Sequence, residues 1–325
     1  MLFSTRASGF SNLAIMPLSA APLKIEPLTT VALRTPLQNA LRRLFRHRSA
    51  QVGMAILGFL VFVAIFAPVL APYDPIKPIR TVKRRSPPCI HLLGCPADQP
   101  QHFFGIDGNQ RDLLSRIIFG SRLSLEIGIT TVTFAIVVGV ALGAVAGYAG
   151  GWADNIIMRV MDVLLAFPSL LLSIAIVAVL GPGLINALLA IAFVSIPVYA
   201  RIVRASVLQV KEQDFVSASR ALGSSPLGIL ISHVLPNALT PLIVQATLGI
   251  ASAILDAAAL SFLGLGAAPP TPEWGLMLGE ERNSVFNAPH LVFLPGIAIM
   301  LTVLAFNLVG DGLRDVLDPR LGKSL

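Results

Sequence analysis

The segment DFVSASRALGSSPLGILISHVLPN, Asp214–Asn237, is a polar island between two long apolar runs. Good helix formers fill its first third, and Gly223 then supplies a residue at which a helix can end in the left-handed conformation. The two serines that follow, Ser224 and Ser225, can cap a second helix. Pro226 is tolerated in the first turn of that helix. Pro236 ends or bends that second helix. The pattern predicts two short helices joined by a glycine bend, which form a docking surface rather than a pocket.

The composition of the whole chain is that of an integral membrane protein. Of its 325 residues 55% are hydrophobic and 13% charged, and the mean hydropathy is +0.78. Soluble domains carry about 25% charged residues. The formal net charge of +7 fits loops held at anionic lipid headgroups, and no interleaved aromatic and basic motif supports nucleic-acid binding. The lipid bilayer is therefore the expected environment, and nucleic acid is excluded as a partner.

Six apolar runs are predicted to cross the bilayer, in an all-α fold. Arginines crowd the chain before the first run, which predicts that the N-terminus is cytoplasmic. With six crossings the C-terminus is then cytoplasmic as well. The predicted spans are Gly53–Ala71, Ile127–Ala149, Ile156–Leu180, Ile185–Ala200, Leu239–Leu265 and Leu291–Val309.

The spans divide the chain into predicted regions. Residues 1–48 are expected to be a disordered basic tail, with a targeting sequence or a start of translation further along as alternatives. The other regions are a first transmembrane segment at 49–72, an extracytoplasmic loop at 73–124, a five-helix core at 125–312 that includes the cytoplasmic loop 201–237, and a cytoplasmic tail at 313–325.

The extracytoplasmic loop ends in HFFGIDGNQRDLLSRIIFGSRLSL, residues 102–125. From Asp112 onward apolar residues recur at helical spacing, accompanied by Arg111, Arg116 and Arg122. This pattern is typical of a helix lying on the membrane interface. The basic residues of the loop run against the positive-inside tendency, which is weak for long loops. An interfacial helix after the first span is the prediction.

The two cysteines of the chain, Cys89 and Cys95, both lie in this loop. If the loop faces an oxidising compartment they can form a disulfide, and two free thiols are the alternative. His91 and His102 are near, but the spacing does not match the usual zinc ligand pairs. No metal site is predicted.

Polar residues inside the predicted spans are few. Asp256 lies in the fifth span, where a carboxylate is costly unless it is protonated, paired or beside water. It is either a functional residue or a structural hydrogen-bond partner of a neighbouring helix. Arg159 and Asp162, three residues apart in the third span, can pair with each other. The second span is rich in small residues that let helix backbones approach closely: Gly139, Gly143, Ala144 and Gly147.

The sequence lacks the motifs of an enzyme or a self-powered pump. It contains no G-x-x-x-x-G-K-[ST] phosphate loop, no nucleophile elbow and no H-E-x-x-H helix. Its spans also lack the recurring acidic and histidine residues of a proton relay. The energy for any transport must therefore come from a partner.

The docking segment resembles the EAA loop of the membrane subunits of ABC importers. The resemblance rests on the spacing from a triplet to a glycine and then to Leu-Pro: Ser217, Ala218, Ser219, Gly223, Leu235 and Pro236. Ser217, Ser219 and His233 depart from the family pattern, which has Glu, Ala and Ile there. In that family the loop, with Asp214 at its start, forms coupling helices that insert into a cleft of a cytoplasmic ATPase.

Further motifs resemble the C-type permeases for dipeptides and oligopeptides. LSFLGLG at 260–266, PPTPEWG at 269–275 and the ending GDGLRD from 310 are typical of that family. Trp274 and the glycine after it are expected to form a re-entrant or interfacial element. Gln110 stands where the family usually has glycine. The extracytoplasmic signature is matched by Gly105, Asp107, Arg111, Asp112, Arg116 and Arg122.

The resemblance implies a permease subunit of an ATP-driven peptide importer in the inner membrane of a bacterium. It implies a homologous permease partner, two ATPase subunits that carry the ATP and magnesium, and an extracytoplasmic substrate-binding protein. The chain itself would bind no cofactor and work by alternating access. The family also carries nickel chelates and other solutes, so the substrate stays open. A secondary transporter or channel driven by an ion gradient is the alternative class.

Overall fold

The computed structural model describes residues 44–96 and 98–317, and in those ranges its regular elements are helices, with two isolated β-bridges in the loops. Five helices are long and apolar enough to cross a membrane, and there are six crossings if a bent pair counts as one span. The all-helical membrane fold is thus confirmed. Helices α1 to α12 span Arg48–Ile65, Ala67–Leu70, Leu113–Ala149, Gly151–Leu165, Ser169–Leu180, Leu184–Val210, Asp214–Ala221, Pro226–Ile229, Leu235–Ala238, Thr240–Phe262, Trp274–Glu281 and His290–Leu317.

Helix α3 contains both the predicted interfacial helix and the second span. It runs for 37 residues, about 55 Å at 1.5 Å per residue, whereas the hydrocarbon core of a bilayer is about 30 Å thick. The predicted interfacial segment is therefore continuous with the second span rather than a helix of its own. The physical reason is that no proline interrupts these 37 residues. Asp112 caps the helix by accepting a hydrogen bond from the Ser115 amide at 2.8 Å.

The third span is broken rather than continuous. Helices α4 and α5 meet at an angle of 92°. Pro168 lies at the break, where it lacks an amide hydrogen and cannot continue the α4 ladder. The predicted pair between Arg159 and Asp162 does not form, because Asp162 instead accepts a hydrogen bond from Arg201 of α6 at 2.6 Å.

Helices α3 and α6 pack closely because α3 presents glycines to its neighbour. A Cβ atom added at Gly139 would lie 2.7 Å from Tyr199 Cβ, and one at Gly147 would lie 2.9 Å from the Arg204 carbonyl oxygen. At Gly143 an added Cβ would collide with the Ala200 carbonyl. The predicted role of these small residues is confirmed.

The two ends of the described chain meet at the end of the bundle where α6 ends and α10 begins. Leu44 and Ala50 are buried, and an added Cβ at Gly312 of α12 would lie 2.5 Å from Ala50 Cβ. Helix α12 continues to Leu317, so its end is helical where a tail was predicted from residue 313. Most of the predicted N-terminal tail 1–48 and residues 318–325 lie outside the described residues.

Candidate functional site

The segment after α6 folds as the glycine-bend pattern predicts. Helix α7 ends in a Schellman motif, in which the Gly223 amide donates to the Arg220 carbonyl at 3.1 Å and the Ser224 amide to the Ser219 carbonyl at 3.2 Å. Gly223 has φ +82°, the left-handed conformation. Ser225 then caps α8 by accepting a hydrogen bond from the Gly228 amide. Two short helices joined by a glycine bend are therefore present.

Pro236 interrupts the second helix less sharply than expected. A π-turn, Leu230–Val234, connects α8 to α9. Pro236 lies in the first turn of α9, where its missing amide hydrogen leaves no α-helical bond unmade. The side-chain amide of Asn237 donates to the His233 carbonyl at 2.7 Å, which gives this carbonyl of the widened turn a hydrogen-bond partner. The chain therefore continues into α10 without a sharp end.

The segment 214–238, here called the docking loop, has two different faces. Val216, Ile229, Val234 and Ala238 are buried and belong to the core that also contains α3 and α6 residues. The opposite face exposes large apolar side chains, of which Leu222 is 86% and Leu227 65% exposed, together with Phe215 and Ile231. Such a cluster of exposed apolar side chains marks an interaction surface.

The structure places the predicted docking-loop residues mainly on this surface. Asp214, Ser217, Ala218, Gly223 and Pro236 are exposed, whereas Ser219 and Leu235 are half-buried. The Ser219 hydroxyl donates to the Phe215 carbonyl one turn earlier in α7, at 2.9 Å.

Polar contacts fasten the base of the docking loop to the bundle. The Lys211 ammonium donates to the Gly147 carbonyl at the end of α3, at 2.9 Å. Arg204 binds both carboxylate oxygens of Asp154 in α4, and Arg201 binds Asp162 in the same helix. Bidentate guanidinium–carboxylate pairs fix orientation as well as distance. These contacts connect the base of the docking loop and the end of α6 to α3 and α4.

The extracytoplasmic signature forms a buried ionic cluster on the other side of the bundle. Arg111 donates to Asp107 at 2.6 Å and to Glu280 of α11 at 2.8 Å. Arg116 lies 3.5 Å from Asp107 and 3.4 Å from Glu280. Arg85 binds Glu281 at 2.9 Å. The three guanidinium groups and three carboxylates balance in charge, as buried ions require.

The cluster corrects the expectation that these arginines lie on the membrane interface. Arg111 is 4% exposed and Arg116 is fully buried, whereas Arg122 is exposed and makes no ion pair with the described residues. Asp112 pairs with His102 at 2.9 Å while it caps α3. Sequence reasoning did not identify Glu280, Glu281 and Arg85 as members, since only the fold brings them to the signature.

Two residues of the signature adopt left-handed backbone conformations. Gly105 has φ +86°, and an added Cβ would lie 2.5 Å from the Ser86 carbonyl oxygen. Gln110 has φ +63° where the family usually has glycine. Its side-chain amide donates to the Val82 carbonyl at 2.8 Å, and its own carbonyl accepts from the Ile79 amide at 2.7 Å. These two bonds offset the strain of a non-glycine residue in this region.

Helix α11 is seated against the bundle by the PEWG motif. Trp274 is buried and its indole nitrogen donates to the Ile117 carbonyl of α3 at 3.1 Å. The Glu273 carboxylate accepts from the amides of Gly275 and Leu276 at 2.9 and 2.7 Å, which caps the helix. Burial raises the pKa of Glu273, and these amide hydrogen bonds counteract the rise. The motif therefore places α11 beside the ionic cluster.

The outer loop also contains the two cysteines. Cys89 and Cys95 are joined in a disulfide, with their Cα atoms 5.3 Å apart. Burial and the nearby charge of Asp112 raise the pKa of Tyr73, whose hydroxyl donates to the Gln101 carbonyl at 2.9 Å. Among the described residues no group of histidine, cysteine or acidic side chains has the arrangement of a metal site.

A membrane-spanning bundle with a rigidly attached docking loop on one side and a charge-balanced outer loop on the other defines a class. It is the class of integral membrane components that bind a partner through an exposed apolar loop. The model of the binding-protein-dependent transport system inner membrane component family matches residues 139–323, and that of the N-terminal transmembrane domain of oligopeptide transport permease C matches residues 35–88. The chain belongs to the former family.

Characterised relatives align along nearly the whole chain. It is 49% identical to the di/tripeptide transport system permease protein DppC of Pseudomonas aeruginosa, over 88% of this chain and 93% of that one. It is 47% identical to the dipeptide transport system permease protein DppC of Alkalihalophilus pseudofirmus, over 88% and 91%. It is 45% identical to the glutathione transport system permease protein GsiD of Escherichia coli O157:H7, over 89% and 92%.

Solved structures share the fold at low identity. A chain of the inward-facing MetNI methionine ABC transporter superimposes with a TM-score of 0.51 at 19% identity, covering 63% of this chain and 97% of that one. The chain is thus a multi-pass permease subunit of an ABC importer. In such a transporter an ATPase and a binding protein are partners, and ATP is bound by the ATPase, so the permease itself is not an enzyme.

Proposed function

We propose that this chain imports short peptides, and that it forms the translocation path together with a homologous permease subunit. The relatives described as dipeptide, di/tripeptide and glutathione permeases support a peptide substrate, since glutathione is itself a tripeptide. Two ATPase subunits bind on the cytoplasmic side, and a peptide-loaded binding protein docks on the other.

The exposed apolar face of the docking loop carries this proposal. Leu222 and Leu227 project from two short helices whose inner faces are buried in the bundle. A cleft in an ATPase subunit would cover them. The basic residues Arg201, Arg204 and Lys211 around the loop support a cytoplasmic location, and this orientation places both termini in the cytoplasm as well.

The attachment of the docking loop suggests how ATP drives transport. When the ATPase dimer closes, it moves the two docking loops of the permease pair. Arg204–Asp154 and Lys211–Gly147 contacts carry this movement into α4 and α3. The bundle then rocks as rigid bodies and exposes the path alternately to the two sides.

The proposal is tested by Leu222→Asp. The side chain is exposed, so the variant is expected to insert and fold normally. A charge in the middle of an apolar contact should lower the amount of ATPase that co-purifies with the tagged permease by at least about tenfold. The matched control is Leu92→Asp, since Leu92 is 94% exposed on the outer loop. Equal ATPase recovery with L222D, L92D and the wild-type chain would refute the docking assignment.

A further inference from the structure

A half-open cavity of about 180 Å³ lies at the side of the bundle where α6 and α10 face the break between α4 and α5, and Ser169 and Ser252 on its wall are exposed. Most membrane-protein interiors are apolar, but this cavity is bordered by a set of polar side chains. Asp256 of α10 is half-buried beside it. The polar residues that line the cavity are Ser169, Ser195, Tyr199, Gln245, Ser252 and Asp256.

The lining residues of α10 form one stripe along the helix. Gln245, Gly249, Ser252 and Asp256 follow each other at intervals of four, three and four residues, so they share a face. Gly249 keeps this face open, because a side chain there would collide with the Tyr199 hydroxyl of α6. The stripe covers 12 residues and rises about 16 Å along the axis, which is about half of the hydrocarbon thickness. It is a polar path within the membrane-spanning region.

The break in the third span adds a second, independent feature. The 92° bend between α4 and α5 places Phe167 and Ser169 at the wall of the cavity. Interrupted membrane helices beside a cavity are a usual construction of substrate sites in transporters, since their free backbone groups can bind polar ligands. A broken helix therefore faces the only carboxylate that lines this cavity.

The charge of that carboxylate has no counterion in the cavity. Among the described residues that line it, none is lysine, arginine or histidine. None of the ion pairs found among the described residues includes Asp256. An intramembrane carboxylate that faces a cavity without a paired cation marks a substrate or ion pathway by default. The position of Asp256 beside other polar side chains and the helix break therefore favours a site for a polar ligand.

We propose that Asp256 forms a binding subsite for a cationic group of the substrate during its passage, namely the α-ammonium group of a short peptide. Ser252 and Gln245 on the same face supply hydrogen-bonding groups for the peptide backbone. The subsite rests on the proposed peptide-import function. It gives the permease a selectivity of its own, in addition to that of the binding protein.

The first test measures the electrostatic potential that the Asp256 carboxylate produces in the cavity. In the assembled transporter, Ser252→Cys introduces a thiol one helical turn from Asp256, while Cys89 and Cys95 are bridged. A charge about 6 Å away changes the local concentration of a monovalent reagent about threefold even at the dielectric constant of water. The ratio of labelling rates with cationic and anionic methanethiosulfonates should therefore be about tenfold higher in S252C than in S252C/D256N. Equal ratios would overturn the proposal.

The second test separates transport from coupling in proteoliposomes that contain the whole transporter and a labelled dipeptide. In D256N, ATPase activity stimulated by the peptide-loaded binding protein should stay within about twofold of the wild type, while uptake falls at least about tenfold. D256E, which keeps the charge, should restore most of the uptake. Wild-type uptake in D256N would contradict the subsite.

Loss of both activities in D256N would also contradict the subsite, since Asp256 would then be a structural hydrogen-bond partner. If the peptide-loaded binding protein fails to stimulate even the wild-type transporter, the proposed function fails rather than the subsite. The labelling ratios still decide in that case whether Asp256 attracts cations.

Discussion

Replacing Gly223 by alanine changes the bend of the docking loop without creating a clash. Gly223 has φ +82°, and an added Cβ would meet nothing within 4 Å. The whole effect is therefore the backbone cost of holding an L-residue in the left-handed conformation, about 1–2 kcal/mol. This cost destabilises the bent conformation, so the two Schellman hydrogen bonds at 3.1 and 3.2 Å break more easily.

If the ATPase recognises only the bent loop, its affinity for the permease should fall by about 5–30-fold in G223A. Asparagine tolerates the left-handed region better, so G223N should lose less. Tryptophan has the same backbone cost and adds a bulky ring, so G223W should insert normally but cover the docking face and abolish coupling. The assay is the dissociation constant of the purified ATPase subunit for the permease in nanodiscs.

The control for this series is Gly296→Ala, because Gly296 lies in α12 and an added Cβ there also meets nothing within 4 Å. G296A should bind the ATPase like the wild type. If G223A binds as tightly as G296A, the bend is not part of the recognised surface and the reasoning is wrong.

Three further substitutions test the fold around the site by thermal unfolding in detergent. Gly143→Leu should destabilise the α3–α6 contact by about 1–3 kcal/mol or more, whereas Gly58→Leu, which has open space, should change little. Arg116→Met should cost about 3–5 kcal/mol because it leaves buried carboxylates unbalanced, and the exposed Arg122→Met should stay within about 0.5 kcal/mol. Since burial raises the pKa of Glu273, the folded state loses stability as pH rises from the ordinary value of 4.5 toward the raised pKa, and E273Q should remove this slope. Unchanged stability of G143L and R116M, or an unchanged slope in E273Q, would contradict these assignments.

The features that the sequence predicted well are those fixed by neighbouring residues. The helix end at Gly223 and the cap at Ser225 depend on a few adjacent residues, so their pattern was sufficient to place them. The small residues of α3 predicted a close helix contact, although their partner in α6 was not identifiable. The third span was predicted as one continuous run, Ile156–Leu180, although the structure bends it by 92° at Pro168.

The features that the sequence could not predict depend on contacts between distant residues. Arg116 and Glu280 are 164 positions apart, and only the seating of α11 on α3 brings them together. Amphipathic spacing around Arg111 therefore suggested a membrane interface, where the fold forms an ionic cluster. Asp162 likewise pairs with Arg201 of another helix, a contact that the sequence alone does not indicate.

The central claim is that ATP hydrolysis by a docked partner moves a peptide through this chain. The most direct measurement is uptake of a labelled dipeptide into proteoliposomes that contain the permease pair, the ATPase subunits and the peptide-loaded binding protein. The account predicts uptake that requires ATP, is unaffected by ion gradients and is lost in L222D. Uptake by the permease without the ATPase, driven by a proton or sodium gradient, would contradict it.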